Sequence, residues 1–339
     1  MTAALRAGLV GLGAIGRHHA RVLRGLEGVE LVAVADPAGD PNRLAEGVPV
    51  VADVEELVRT GIDMCVVAAP TRLHGEVGLA LAAAGVHTLI EKPLSDSMAS
   101  CLELSQAFAA AGVVGCVGHI ERYNPALQAL RRRIEAGELG ALYQVATRRQ
   151  GPFPARIADV GVVFDLASHD IDLTSWVTGQ EFATVSARTA HKSGRLHEDL
   201  VAVVGQLTDG TVTNHLVNWL SPMKERVTLV TGEKGCFVAD TLNADLTFFT
   251  NANVAMEWDA LSIFRGVAEG DMIRYAIAKP EPLRTELQAF RDAVLGRKAD
   301  IVTLEQGTRT VTVAEALLAS ADTGTTVAVP QLDTARVIG

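Results

Sequence analysis

The sequence predicts an α/β protein with a doubly wound parallel sheet in its first part and an α+β arrangement in its second. Two observations support this fold class. In the first 118 residues, short apolar runs alternate with longer helical segments that are rich in alanine and leucine. After about Gly118, strand-like runs follow one another with few helices between them, which is typical of an antiparallel sheet. We therefore expect a dinucleotide-binding domain over residues 1–120 and a substrate-binding domain over 121–339.

The first part contains five runs with the length and apolar content of buried parallel strands, and four segments with helical periodicity. The predicted strands are Arg6–Gly11, Glu30–Ala35, Met64–Ala69, Thr88–Glu91 and Val113–Val117. The predicted helices are Gly16–Leu26, Val54–Thr60, Gly75–Ala84 and Met98–Ala111. Because parallel strands are joined by right-handed crossovers, this alternation predicts a doubly wound sheet.

The second part contains six predicted strands, two of them joined by the hairpin signal Asp209-Gly210. The strands are Leu142–Arg149, Thr184–Ala190, Leu200–Leu207, Val212–Trp219, Arg226–Thr231 and Leu246–Thr250. Helices are predicted over Tyr123–Ala136, Val163–Val177, Glu286–Leu295 and Leu304–Ser320. We expect the last helices to pack back on the first domain.

The composition is that of a globular protein with an acidic balance. Of 339 residues, 48% are hydrophobic, and 30 basic against 40 acidic side chains give a net charge of −10. A negative chain is a poor partner for nucleic acid or anionic lipid, and no apolar run is long enough to span a membrane. The four cysteines are far apart, and the N-terminus has no signal-peptide pattern. We therefore expect a cytoplasmic protein with no zinc site, disulfide framework, nucleic-acid partner or membrane anchor.

A glycine motif follows the first predicted strand directly and opens the first helix. It matches the G-x-G-x-x-G pattern of dinucleotide-binding loops and reads Gly11-Leu12-Gly13-Ala14-Ile15-Gly16. Gly11 permits the tight turn, Gly13 lets a pyrophosphate approach the backbone, and Gly16 lets helix and strand pack closely. The N–H groups of this loop, including those of Ala14 and Ile15, lie at the positive end of the helix and are expected to hold the phosphates.

Asp36 lies at the end of the second predicted strand, 20 residues beyond Gly16. An acidic side chain at this position hydrogen-bonds the ribose hydroxyls of an adenosine and repels a 2′-phosphate, so it favours NAD over NADP. The same residues also allow a plain glycine turn and an Asp-Pro helix start. The combination of strand, loop, helix and acidic residue favours the NAD interpretation.

Two strand ends mark the edge of the sheet where ligands of such folds bind. Glu91-Lys92-Pro93 follows one strand, and an ammonium there could donate to a substrate hydroxyl or a developing alkoxide. A solvated loop lysine is the alternative. Ala69-Pro70-Thr71 ends the preceding strand, with His74 in the next helical turn, and these groups could reach the nicotinamide half of a dinucleotide. His74 could equally be a surface histidine at a helix start.

Asp165 and His169 lie four residues apart in a predicted, largely buried helix of the second part. A carboxylate one turn from an imidazole can orient it and raise its basicity, and histidine is suited to accept a hydroxyl proton near neutral pH. Three roles remain open from the residues alone: a general base with its orienting carboxylate, a structural pair, or two metal ligands. The metal interpretation lacks a third convincing ligand nearby. His18-His19, after the glycine loop, are interpreted as packing or cofactor-adjacent residues.

These features together resemble the Gfo/Idh/MocA family of NAD(P)-dependent sugar and inositol dehydrogenases, over essentially the whole chain. The resemblance implies that Lys92, Asp165 and His169 form the catalytic group. His169 would be the general base, Lys92 would polarise and position the hydroxyl, and Asp165 would bind substrate and support both. It also implies a large, open-faced second sheet at a subunit interface, hence a homodimer or homotetramer, and a cis Lys92–Pro93 bond.

Finer motifs resemble the branch of the family that contains UDP-N-acetylglucosamine 3-dehydrogenases. They are the segments 118–125, 149–157 and 159–172. This branch implies NAD-dependent oxidation at C3 of a UDP-amino sugar. The residues expected to contact the substrate are Arg122, Tyr123, Asn124, Arg156, Asp165 and His169. A dehydrogenase of a free cyclitol, aminocyclitol or sugar is the second hypothesis, and a noncatalytic NAD-sensing regulator is the third.

Overall fold

The structure is a computed structural model that describes residues 4–154, 160–251 and 270–332. Its first part is a parallel sheet, with six strands in the described residues, in the order β3-β2-β1-β4-β5-β6. The strands are β1 (Leu5–Val10), β2 (Val29–Ala35), β3 (Val50–Val51), β4 (Met64–Val67), β5 (His87–Glu91) and β6 (Gly115–Gly118). The helices are α1 (Gly16–Arg24), α2 (Val54–Arg59), α3 (His74–Ala83) and α4 (Met98–Ala111). This arrangement confirms the predicted doubly wound fold.

The strands of this sheet are apolar because helices cover both of its faces. All four residues of β4 are buried, and the two apolar cores on either side of the sheet share its strands. Local signals fix the helix ends: the Ser97 side chain accepts a hydrogen bond from Ser100 N–H at the start of α4, and Gly112 ends it with a φ of +66°. The two-residue strand β3 was not predicted.

The second part is built on a mixed sheet, nine-stranded in the described residues, in the order β14-β13-β12-β11-β7-β10-β9-β8-β15. Its strands are β7 (Leu142–Pro152), β8 (Phe182–Ala190), β9 (Leu200–Leu207), β10 (Val212–Asn218), β11 (Leu220–Gly232), β12 (Gly235–Asp240), β13 (Asp245–Thr250), β14 (Met272–Arg274) and β15 (Val327–Ala328). β7 and β10 pair in parallel and the other neighbours pair antiparallel, so the mostly antiparallel sheet is confirmed. The hairpin between β9 and β10 turns at Gly210, with a φ of +91°. The strands β12, β14 and β15 were not predicted.

In the described residues after position 124 there are four α-helices: α5 (Pro125–Glu135), α6 (Ser168–Thr178), α7 (Pro282–Val294) and α8 (Leu304–Thr323). One expectation needs correction. The predicted helix Val163–Val177 is not a continuous α-helix, because Val163–Ala167 form a π-helical turn that leads into α6. Such turns change the angular spacing of side chains and are frequent at functional sites.

One face of the second sheet is covered and the other is open. Along β9, residues alternate between buried and exposed positions, and Val201, Val203 and Leu207 pack in a core with α6 and α8. A second core places α5 and α6 against β7, β11, β12 and β13. The polar network described below lies at the end of this covered face, near the first sheet.

The last two helices contact both parts of the chain. Leu283, Leu287 and Phe290 of α7 belong to the core on one face of the parallel sheet. Leu304 and Val311 of α8 belong to the core on the other face, while its later residues pack on the second sheet. The two parts are therefore joined by shared packing, and the division at residue 120 stays a prediction.

Candidate active site

The glycine loop lies at the carboxyl end of β1, and two of its glycines are required by the protein itself. Gly11 has a φ of +93°, and a Cβ there would lie 2.6 Å from the Ala68 carbonyl oxygen. A Cβ on Gly16 would lie 2.0 Å from the carbonyl oxygen of Gly11. A Cβ on Gly13 would meet nothing within 4 Å. The open space beside Gly13 is where a phosphate group can approach the exposed loop Gly13–Ile15.

The carboxylate of Asp36 is fixed beside this loop. It accepts hydrogen bonds from Leu12 N–H at 2.7 Å and from Ala38 N–H at 2.9 Å. These bonds orient a negative charge at the end of β2, as recognition of ribose hydroxyls requires. Together with the open space at Gly13, this arrangement fits the adenosine and pyrophosphate groups of NAD.

The end of β4 leads into a short 3-10 helix, Thr71–Leu73, and then into α3. Ala69 is half-buried and Pro70 is exposed, whereas Thr71 and His74 are buried. The two ring nitrogens of His74 lie 2.9 Å from the carbonyl oxygens of Ala69 and Pro93. The imidazole therefore connects the ends of β4 and β5, and its predicted contact with the nicotinamide stays a prediction.

Glu91 connects the segment Glu91-Lys92-Pro93 to helix α1. Its carboxylate accepts a hydrogen bond from His19 at 2.8 Å and one from the backbone N–H of Lys92 at 3.2 Å. Burial opposes ionisation of Glu91, but the hydrogen bond and charge of His19 outweigh it and lower the pKa of the carboxyl below 4.5. This ionised anchor fixes the backbone from which the Lys92 side chain extends.

Lys92 crosses from the first part of the chain to the second. Its Nζ donates to the Asp165 carboxylate at 2.9 Å and to the Asp165 carbonyl oxygen at 2.7 Å. The Lys92–Pro93 bond is cis. The exposed fractions of the two side chains are 14% for Lys92 and 4% for Asp165, so the ion pair is largely shielded from solvent. The structure thus brings together two of the three predicted catalytic residues.

His169 lies one turn further along, at the start of α6, and is buried. Burial, followed by the charges of Lys92 and Arg149, holds the pKa of His169 well below 6.5, so the imidazole is neutral near pH 7. The His119 ring stands edge-on to it, with the ring centres 6.4 Å apart. Asp165 lies in the π-turn, and its carboxylate is directed to Lys92. A neutral imidazole near an ammonium can accept a hydroxyl proton.

Three of the residues predicted to contact substrate are buried with protein partners. Arg122 forms a two-pronged ion pair with Asp172, at 2.6 and 2.8 Å, and its third nitrogen donates to Gln306. The Tyr123 hydroxyl donates to a carbonyl oxygen, and Asn124 caps α5 while its amide donates to another carbonyl oxygen. All three therefore have protein partners that hold them in place, and their predicted substrate contacts stay predictions. Arg156 lies outside the described residues.

A buried ionic network was missed by sequence reasoning. Arg149 donates to Asp170 at 2.9 Å and to Glu121 at 3.0 Å, and Arg226 donates to the same Glu121 oxygen at 3.1 Å. Strand alternation carried a signal for it, because Arg149 shares its face with buried Val145 and Thr147. A charged residue in the buried register of a strand requires ionic partners. Asp170 follows His169 directly, so the network lies next to the predicted base.

Comparison with known proteins shows the family to which the chain belongs. The model of the oxidoreductase family with an NAD-binding Rossmann fold matches residues 5–119, and that of the GFO/IDH/MocA C-terminal domain matches residues 127–238. The rhizopine catabolism protein MocA of Rhizobium meliloti is 30% identical over 61% of this chain and 68% of that protein. The chain belongs to the Gfo/Idh/MocA oxidoreductase family. The predicted family and its NAD-binding fold are thereby confirmed.

Two family members with different named activities resemble the chain. Inositol 2-dehydrogenase 4 of Saccharopolyspora erythraea is 35% identical over 54% of this chain, and the alignment spans 57% of that relative's length. The solved structure of UDP-N-acetylglucosamine 3-dehydrogenase from Acidithiobacillus ferrooxidans is 25% identical, with a TM-score of 0.82. That match covers 94% of this chain and 98% of the other. These similarities leave the substrate open between sugar nucleotides and polyols.

No helix in 4–154, 160–251 or 270–332 is long and apolar enough to cross a bilayer. In the same ranges, no three His, Cys, Asp or Glu side chains are grouped as a metal site. The groups described at the edge of the glycine-loop sheet are the Lys92 ammonium, the Asp165 carboxylate and the neutral His169 imidazole.

Proposed function

We propose that this protein is an NAD-dependent dehydrogenase that oxidises a secondary hydroxyl of a sugar, with C3 of a UDP-amino sugar such as UDP-N-acetylglucosamine as the reacting position. The observation that carries the proposal is the ion pair between Lys92 of the first part and Asp165 of the second. It is supported by the neutral His169 four residues beyond Asp165, whose lowered pKa the Lys92 charge contributes to. A pure NAD sensor requires none of these three groups, so their presence together favours an enzyme over a regulator.

The chain's own residues supply proton transfer and charge stabilisation. His169 accepts the proton of the substrate hydroxyl, and the Lys92 ammonium donates a hydrogen bond to the oxygen as negative charge develops on it. Asp165 holds the ammonium in position through the 2.9 Å contact. Bound NAD supplies the acceptor for the hydride that leaves the carbinol carbon. Gly11, Gly13, Ala14, Ile15, Gly16 and Asp36 would hold the cofactor, with Ala69, Pro70, Thr71, His74, Glu91 and Lys92 toward its nicotinamide half.

The test is NADH formation with UDP-N-acetylglucosamine, compared with myo-inositol and free N-acetylglucosamine. We expect Lys92→Met and His169→Asn each to lower kcat by about 10²- to 10⁴-fold while NAD affinity changes little. Lys298→Met and His191→Asn, which alter exposed side chains, are the matched controls. Near-normal rates in both site variants would refute the assigned roles.

A free cyclitol is the second candidate substrate, because inositol dehydrogenases are among the matched relatives. The same assay separates the two. Good turnover of myo-inositol with none of any sugar nucleotide would overturn the sugar-nucleotide assignment and keep the dehydrogenase.

We also propose that this cytoplasmic enzyme is a homodimer or homotetramer joined through the open face of the second sheet. The support is a group of exposed apolar side chains on one face of the sheet. Val212 and Phe249 lie in the same cross-strand row and Val204 lies in the next row of that face, and all three point away from the covering helices. Patches of this kind mark association surfaces. Light scattering should give a mass of two or four chains, and Val204→Lys should reduce it; a monomeric wild-type protein would refute the proposal.

A further inference from the structure

Arg226 occupies an unusual position in the second sheet. It lies on β11 directly opposite Arg149 of β7, in a cross-strand row with the buried Val217, on the face that the helices cover. The exposed fraction of its side chain is 30%, against 3% for Arg149. Two guanidinium groups therefore lie side by side at the end of this face, one enclosed by protein and one open.

The protein compensates the two cations unequally. Arg149 has a carboxylate on each side, Asp170 at 2.9 Å and Glu121 at 3.0 Å. Arg226 shares the Glu121 oxygen at 3.1 Å, and no other ion pair of Arg226 occurs within 4 Å among the described residues. Burial and then the charge of Arg149 lower the pKa of Arg226 from its usual range, although arginine keeps its charge in proteins. The two cations and two carboxylates balance in number, but one hydrogen bond of the Arg226 guanidinium is found among the described residues, so N–H donors remain at its more exposed end.

Direct contacts connect Arg226 to the predicted base. Arg226 and Arg149 share one Glu121 oxygen, Arg149 pairs with Asp170, and Asp170 follows His169 in α6. The charge of Asp165 acts on Arg226, and the charge of Arg226 contributes to the lowered pKa of His169. Its partner Glu121 follows β6, whose end adjoins the Glu91 position of β5. These relations place a cation with spare N–H donors within electrostatic range of the predicted base.

We propose that Arg226 binds an anionic oxygen group of the substrate, either a carboxylate or a phosphate. The proposal rests on the proposed function, in that it names the substrate class of that site. A guanidinium has five N–H donors in a planar fork that matches two oxygens of such a group. An anion on the open side would accept hydrogen bonds from the Arg226 donors that Glu121 does not use. Arg226 would then select acidic sugars or sugar phosphates over neutral ones.

The test measures binding to the NADH-loaded protein, in which an alcohol substrate cannot turn over. The probes are N-acetylglucosamine, its 1-phosphate and N-acetylglucosaminuronate, which share one sugar and differ in the anion, titrated by calorimetry. We expect at least one anionic probe to bind wild-type protein more tightly than the neutral sugar. Arg226→Gln should weaken that anion by about 10- to 100-fold and leave the neutral sugar unchanged. The probe that loses affinity identifies carboxylate or phosphate.

Further variants separate ligand binding from support of the network. Arg226→Lys keeps the charge but loses the fork, so an intermediate loss is expected. The double variant Glu121→Gln/Arg226→Gln removes the ion pair as a neutral unit, and anion affinity should stay low if Arg226 binds the ligand. Arg148→Gln, at a 63% exposed position on the opposite face of β7, should leave all affinities unchanged. Thermal unfolding identifies any variant that fails to fold.

Three results would overturn the proposal: equal binding of neutral and anionic probes by wild-type protein, an unchanged anion preference in Arg226→Gln, or recovery of that preference in the double variant. Absence of NADH formation with every sugar and polyol would refute the proposed function instead. The binding comparison needs no turnover, so the two failures are distinguishable.

Discussion

Replacing Gly13 by alanine should separate the folding of this protein from its binding of NAD. The structure leaves the space beside Gly13 open, since an added Cβ meets no atom within 4 Å. Gly16 lies in the same loop, yet a Cβ there would stand 2.0 Å from the backbone oxygen of Gly11. The two glycines therefore have different reasons to be glycine: Gly13 leaves room for a ligand, and Gly16 leaves room for the chain itself.

The magnitudes follow from what each methyl group meets. For Gly13→Ala we expect a change in the free energy of unfolding within about 0.5 kcal/mol, as for surface substitutions without a clash. A methyl group forced against a bound pyrophosphate resembles overpacking, which costs about 1–3 kcal/mol and raises the Kd for NAD roughly 5- to 150-fold. Gly16→Ala should lower stability by about 1–3 kcal/mol, because a backbone oxygen cannot move aside as a flexible side chain can.

The assay combines urea unfolding with calorimetric titration of NAD into each variant. Gly13→Ala should unfold like wild type and bind NAD weakly, whereas Gly16→Ala should lose stability without any ligand present. Unchanged NAD affinity in Gly13→Ala would refute the assignment of the open space to the pyrophosphate. A large loss of stability in that variant would show that the loop is more tightly packed than the structure indicates.

Three further predictions follow from the charged groups. Asp36→Ala should weaken NAD by about tenfold or more and reduce the preference over NADP, because the ribose acceptor and the repulsive charge are both lost. The acidic limb of the kcat/KM profile should fall below pH 6.5, since burial and the Lys92 charge lower the pKa of His169, and Lys92→Met should move it upward. Burial, then the charge of Glu91, raises the pKa of Glu286 well above 4.5. The stability that protonated Glu286 contributes is therefore fully present below pH 4.5 and is lost as pH rises through the folded pKa. Glu286→Gln cannot ionise, so its free energy of unfolding should rise relative to that of wild type with increasing pH, by up to about 1.4 kcal/mol per pH unit.

Each of these has a control and a contrary result. Asp40→Ala alters a carboxylate that also accepts backbone hydrogen bonds nearby and should leave the cofactor preference unchanged; an unaltered NADP ratio in Asp36→Ala contradicts the ribose assignment. A wild-type acidic limb centred at or above pH 6.5 contradicts a depressed His169. Parallel stability curves of wild type and Glu286→Gln between pH 5 and 8 contradict a raised pKa, and the exposed Glu30→Gln is the control.

The sequence by itself determined the parallel sheet, the antiparallel character of the second sheet and the cofactor loop. Strands buried on both faces must be apolar throughout, as Met64–Val67 are, so they can be recognised in the sequence as continuous apolar runs. The glycine motif and Asp36 can also be recognised in the sequence, because they lie at fixed positions within one strand–loop–helix–strand unit. The two- and three-residue strands β3, β14 and β15 escaped prediction because such short strands owe their formation to pairing with neighbours more than to their own residues. Strand β12 was also missed, although its six residues alternate between buried and half-buried positions.

Tertiary structure alone decided which side chains meet. Helical spacing predicted that Asp165 orients His169, and the structure adds a partner that spacing could not show: the Asp165 carboxylate accepts a hydrogen bond from Lys92, 73 positions away in sequence. Arg122 forms its ion pair with Asp172, 50 positions away, a partner that no local pattern indicated. The sequence does not distinguish charged residues that bind a ligand from charged residues that pair with one another. Their roles depend on long-range geometry and desolvation, which no local pattern along the chain encodes.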